Sequence, residues 1–182
     1  MNAVVKNPVH ALEIPNYTLP LLLPSACMAE VVALTKLAHV PHAPPWFLGV
    51  LGWRLRPVPV ISYDILATGE GSSPGPRSRV VVCYPLPGRE PWEFLGIQAS
   101  SEPQSRQIDA THTAVSVQDS FPCIATGLRI DDRLLGIPDL KALAELAAAP
   151  EPHVYATGGG AAAATSSGVS GDLFDPLKIL RE

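Results

Sequence analysis

The chain has 182 residues, 47% of them hydrophobic and 16% charged, with 13 Lys and Arg against 17 Asp and Glu for a net charge of −4. That apolar content offsets the entropy of ordering a chain, which excludes disorder throughout, and the acidic balance argues against a nucleic-acid partner. Fourteen glycines and twenty prolines interrupt long helices over most of the length.

Val9 to Ile14 alternate and predict a first strand. Leu19 to Leu23 read as a second, with Pro20 at its start and Pro24 near its end. Residues 26–34 are ambiguous: Ala26, Met28 and Glu30 favour helix, whereas Val31 and Val32 favour strand. Pro41, Pro44 and Pro45 impose an extended or turning path. A helical turn is expected at Trp46–Leu48, ended by Gly49. Val50 to Tyr63 are strand-like, but Pro57 and Pro59 remove two donors and predict an edge strand or a strand meeting a turn. Residues 68–78 are rich in Gly, Ser and Pro and are expected to mark a subdomain boundary.

Arg79 to Tyr84 form the strongest strand signal, and Trp92 to Ile97 return as its hairpin partner. Ile108 to Val117 predict loop plus a weak strand. Ile124–Ile130 and Leu134–Ile137 flank Asp131, Asp132 and Arg133, a hairpin with turn chemistry at its tip. Asp139 to Ala149 predict a helix with Leu140, Leu143, Ala144 and Ala147 on one stripe. The division expected is one domain over residues 1–155, a flexible linker over 156–171 and an apolar tail or short linear motif over 172–182.

No apolar run approaches the roughly 20 residues a bilayer span needs, and residues 1–8 lack the pattern of a signal peptide. Cys27, Cys83 and Cys123 are odd in number, far apart and in apolar contexts, which predicts reduced thiols and a cytoplasmic protein. His39 and His42 are separated by Val40-Pro41, so helical metal-ligand spacing is broken. Gly158–Gly160 lack the Lys-Ser/Thr of a phosphate loop, and no Gly-x-Ser-x-Gly elbow occurs.

The informative stretch is residues 26–61. Glu30-Val31 is followed by Pro41, Ala43-Pro44, Trp46-Phe47-Leu48-Gly49-Val50, Trp53-Arg54 and Pro59-Val60-Ile61. This resembles the CheW-like family of chemosensory adaptors, with its Glu-Val strand end, Pro-x-Ala-Pro loop, Gly-Val element, Asn-x-Arg-Gly turn and (Ile/Val)-Pro-(Ile/Val) strand. Within the family, the leucine run before Pro24-Ser25-Ala26-Cys27 and the Pro59–Tyr63 strand look most like the ChpC-type adaptor of twitching-motility (Pil-Chp) systems. Gly52 replaces the family's Asn and Leu55 its Gly. Leu95-Gly96-Ile97-Gln98 matches the family's Gly-(Leu/Ile)-x-Val-Asp strand only in part, without the Asp.

The resemblance implies an all-β fold with a short C-terminal helix, built as two SH3-like five-stranded barrels sharing a core. It implies no catalytic site, no cofactor and no metal. The partners implied are a chemoreceptor's cytoplasmic helical hairpin and the regulatory domain of a CheA-type histidine kinase. Met28, Glu30, Val31, Trp46, Gly49, Trp53 and Arg54 are the candidate binding residues. For Met28 and Trp46 a core position, for Glu30 and Arg54 a solvated one, and for Gly49 a turn role stand as alternatives. Two rival functions are a β-barrel enzyme or small-ligand binder using His39, His42 and Asp64, and a structural assembly subunit without a kinase partner.

Overall fold

The computed structural model describes residues 8–71, 73–85 and 92–148. The expected linker of 156–171 and tail of 172–182 lie outside them. Among the described residues eleven strands and two helices follow one another as β1 (Val9–Ile14), β2 (Leu21–Pro24), β3 (Met28–Ala33), β4 (Phe47–Trp53), β5 (Arg56–Ile61), α1 (Tyr63–Thr68), β6 (Arg79–Cys83), β7 (Leu95–Ala99), β8 (Gln104–Ile108), β9 (Thr113–Val115), β10 (Ile124–Ile130), β11 (Arg133–Pro138) and α2 (Leu140–Ala148). A 3-10 turn at Ser25–Cys27 resolves the ambiguous stretch into a bend followed by strand.

The strands form two sheets. A six-stranded sheet runs β8-β1-β2-β11-β10-β9, and a five-stranded sheet runs β3-β6-β7-β5-β4. Each joins antiparallel groups through one parallel contact: β2 with β11 in the first, β5 with β7 in the second. A glycine stands at both junctions, Gly136 beside Leu21 and Gly96 beside Val60. A Cβ at Gly136 would lie 2.5 Å from Leu19 Cδ2, and one at Gly96 2.8 Å from Val80 Cγ1. Each sheet also contains a tight hairpin that leads directly into a helix, β4–β5 into α1 and β10–β11 into α2. The two halves are therefore built alike, although no sequence period shows it.

Residues 68–78 do not separate the two sheets. That connector joins α1 to β6, and β5 and β6 belong to the same five-stranded sheet. The chain instead passes from the six-stranded sheet to the five-stranded one at Ser25–Cys27 and returns between β7 and β8.

Alternation along the strands distributes the apolar residues over three cores. Val80 and Val82 face Leu51, Val58 and Val60 within the five-stranded sheet, while Val81 and Cys83 face the other way. Leu21 and Leu23 join Val81, Ile61, Ile97 and Leu143 in the central core between the sheets, whereas Leu22 packs with Ala11, Leu128 and Leu135. The strands β2 and β6, apolar on both faces, are thus covered on both faces. Trp92 ties α2 to this centre by donating its indole N–H to the Ala147 carbonyl at 2.8 Å.

One expectation fails locally, and of the two forms expected for β5 the edge strand is not the one adopted. Phe47–Leu48 form strand, not a helical turn, because β4 pairs with β5 from Phe47↔Ile61 onward, with a register shift before Gly49. Strand β5 is internal despite its prolines; its ladder with β7 uses Val60 and Ile61, after Pro59, and so demands no donor from Pro57 or Pro59.

Candidate functional site at the β4–β5 tip

The edge strands β3 and β4 of the five-stranded sheet meet at Glu30. Its Oε2 accepts the Trp53 indole N–H at 2.9 Å and an Arg54 guanidinium N–H at 2.8 Å. The Arg54 guanidinium carbon lies 4.8 Å from the Trp53 ring centroid, a cation–π contact. Phe94 closes the other side of the indole edge-on, with centroids 4.9 Å apart. Arg56, the residue after the turn, pairs with Glu93.

Sequence dictates this corner locally. The β4–β5 loop has two residues, Arg54 and Leu55, between the closing pair Trp53↔Arg56. Both are left-handed, with φ 48° and 62°. This is the backbone twist of a type I′ hairpin turn, and it swings the Arg54 side chain back over its neighbouring indole. The corner is open: the Arg54 side chain is 69% exposed and that of Glu30 38%.

The remaining candidates separate. Met28 and Val31 lie half-buried at the margin of the central core, whereas Ala29 and Val32 pack in the five-stranded sheet's own core. Trp46 takes the core position that stood as its alternative: it is 1% exposed, sealed in the central core with its ring 6.2 Å from that of Phe47. It cannot offer surface to a partner. Gly49 also lies inside. It is buried with φ 136°, and a Cβ there would stand 2.6 Å from the Ala38 carbonyl oxygen. Its bareness admits the protein's own chain, which bridges Ala38 to Val50 through bonds of 2.8 and 2.9 Å, and not a partner helix.

The rival reading loses its constellation. His39 and His42 are exposed, while Asp64 is buried and accepts the backbone N–H groups of Tyr17 and Thr18 at 3.1 and 2.8 Å. That carboxylate fastens the β1–β2 connection to α1. Among the described residues no three His, Cys, Asp or Glu converge as metal ligands. Burial pushes the Cys83 thiol up to about 12 and the Cys123 thiol up to about 11, the latter helped by Asp139, so neither is a ready nucleophile. Asp131 and Asp132 occupy the β10–β11 turn with φ 48° and 61°, as turn residues. Among the described residues no helix is long and apolar enough to cross a membrane.

Sequence reasoning missed Phe94 and Glu93 as parts of the corner. Phe94 and Glu93 arrive from another strand connection, and no local signal announces them. Leu55 was visible as a non-glycine residue where the turn needs positive φ.

The fold agrees with comparison. Residues 17–148 match the family model of the CheW-like domain. The chain belongs to the CheW-like family. Its members are scaffold adaptors of chemotaxis-type signalling and not enzymes. The crystal structure of the scaffolding protein TtCheW from Thermoanaerobacter tengcongensis is similar, with a TM-score of 0.63 over 77% of this chain and 90% of that one. At 15% identity this likeness concerns the fold alone. No curated protein matches the chain.

Proposed function

We propose that this CheW-like protein couples a chemoreceptor's cytoplasmic helical hairpin to the regulatory domain of a CheA-type histidine kinase, in chemotaxis or in type IV pilus twitching motility as a ChpC-type adaptor. Its place is the cytoplasm, at receptor arrays or the cell pole, and its two halves are SH3-like barrels.

The observation that carries the reading is the open Glu30–Trp53–Arg54 corner. Transient protein contacts centre on a few aromatic and arginine side chains with a polar rim. Here an indole is held edge-on by Phe94, and a guanidinium is fixed over it by a carboxylate. Arg54 gives one N–H to Glu30 and keeps others for a partner's carboxylates or carbonyls. The edge strand β3 adds Met28 and Val31, so a helical hairpin laid along this edge meets the acidic–basic corner together with an apolar margin. Trp46 and Gly49 lie inside the fold and take no part in the contact.

The test is binding of the purified protein to receptor signalling-tip fragments and, separately, to the kinase's regulatory domain. Arg54→Ala is expected to weaken the receptor complex at least fivefold while leaving the circular dichroism spectrum and Tm near those of the parent. A parent protein that binds neither component at tens of micromolar refutes the coupling role.

A further inference from the structure

The two tight hairpins of this protein provide a comparison within one molecule. In β10–β11 the pair Ile130↔Arg133 closes around Asp131 and Asp132, φ 48° and 61°. In β4–β5 the pair Trp53↔Arg56 closes around Arg54 and Leu55, φ 48° and 62°. The backbones are the same; the residues are not. Aspartate tolerates the left-handed region, whereas leucine pays a steric penalty there because its Cβ approaches the following carbonyl. Leu55 is also 100% exposed. Scattered surface leucines are ordinary, but one held in a left-handed turn and wholly in water gains nothing from the fold. Strain of this kind at a projecting position points to a use outside the folded monomer.

We propose that Leu55 is the apolar knob of the receptor contact, seated in a hole between the two helices of the receptor hairpin whose rim carries charges of both signs. This rests on the coupling role proposed above and adds to it the residue that sets receptor choice. The shape argument is that a two-residue turn presents one side chain at the apex of a convex tip, which fits a hole between helices as a knob does in a coiled coil. The charge argument is that Arg54 and Arg56, with side chains 69% and 55% exposed, flank that apex on both sides. Each is paired with a carboxylate of this chain, Glu30 and Glu93, so a hole that accepts Leu55 brings its rim against two ion pairs, and a rim of mixed charge complements them. Where the family has glycine at this place, no knob exists, so Leu55 distinguishes the receptors this chain accepts.

The proposal predicts opposite effects on fold and binding. Leu55→Gly and Leu55→Asn relieve the left-handed strain, so Tm should equal the parent's or exceed it by up to about 4 °C. Binding to receptor signalling-tip fragments, followed by fluorescence anisotropy with each of the source organism's receptors in turn, should weaken roughly ten- to a hundredfold with either substitution, as expected for losing one buried leucine. Binding to the kinase regulatory domain should stay within twofold. Parent and variants binding the receptor fragment equally would overturn the knob while leaving the coupling role intact. A parent that binds no receptor fragment would overturn both. Loss of self-association in sedimentation, with receptor affinity unchanged, would assign Leu55 to a contact between copies and overturn the proposal.

Discussion

Replacing Glu30 isolates what holds the corner together. One carboxylate oxygen serves both Trp53 and Arg54, at 2.9 and 2.8 Å. A hydrogen bond from a part-buried indole to a charged acceptor contributes about 1.5 kcal/mol. The Arg54 ion pair is largely in solvent and contributes about 0.5 kcal/mol after screening. Glu30→Ala removes both and should cost about 2 kcal/mol, which lowers Tm by about 4–8 °C for a domain of this size. Glu30→Gln keeps an acceptor for the indole and loses the charge, so its cost should be about 0.5–1 kcal/mol. The assay is urea unfolding followed by tryptophan fluorescence, where a 2 kcal/mol loss moves the midpoint by about 1 M. In Glu30→Ala, Arg54→Ala should cost almost nothing further, because its anchor has gone. Equal stability of the parent and both Glu30 variants, or full additivity of the two alanine substitutions, would refute the shared-carboxylate account.

Other outcomes follow from neighbouring features. Glu13 is 5% exposed, and its carboxylate holds Arg106 at 2.7 Å and Arg133 at 2.8 Å, linking β1 to β8 and β11. Glu13→Ala should cost about 2–4 kcal/mol by urea unfolding, since two guanidinium groups lose a buried partner while solvent reaches them in part. Gly49→Ala combines φ 136° with a 2.6 Å clash against Ala38 and should cost at least about 3 kcal/mol or prevent folding; a Tm within 3 °C of the parent would contradict the geometry. In alkali, the buried Cys83 thiol stays protonated in the folded chain up to about 12, whereas in the unfolded chain it ionises near 9. Its contribution is therefore complete below pH 9 and is lost as pH rises from 9 towards 12, at about 1.4 kcal/mol per pH step for this group. Cys83→Ala should flatten that alkaline decline in Tm while lowering Tm at pH 7.

The legible parts of this fold are those with strong local chemistry. Arg79–Cys83, β-branched and framed by turn residues, reads as a strand and is one. The β10–β11 hairpin follows from Asp131 and Asp132 between apolar runs, and α2 from its leucine–alanine stripe. Elsewhere tertiary structure overrides local preference. Phe47–Leu48 are drawn into strand by pairing with β5, and Gln104–Ile108 form an edge strand whose polar residues carry no alternation to read. The short helix α1 hides behind a strand-like run because Tyr63 and Leu66 are buried on the central core and their apolar character fits either state. At the site, Glu30 and Arg54 were identified through family resemblance; their contact spans 24 residues and only folding brings the edge strands together. Trp46 and Trp53 look equivalent in sequence, yet one fills the core and the other faces a partly open corner.

Bridging itself is the central claim, and simultaneous occupancy tests it most directly. Sedimentation of this protein with both a receptor signalling-tip fragment and the kinase regulatory domain should yield one species containing all three, with Leu55→Gly removing the receptor fragment from it and retaining the kinase domain. If receptor and kinase domain instead displace each other from the protein, or neither enters a complex, the adaptor account is contradicted.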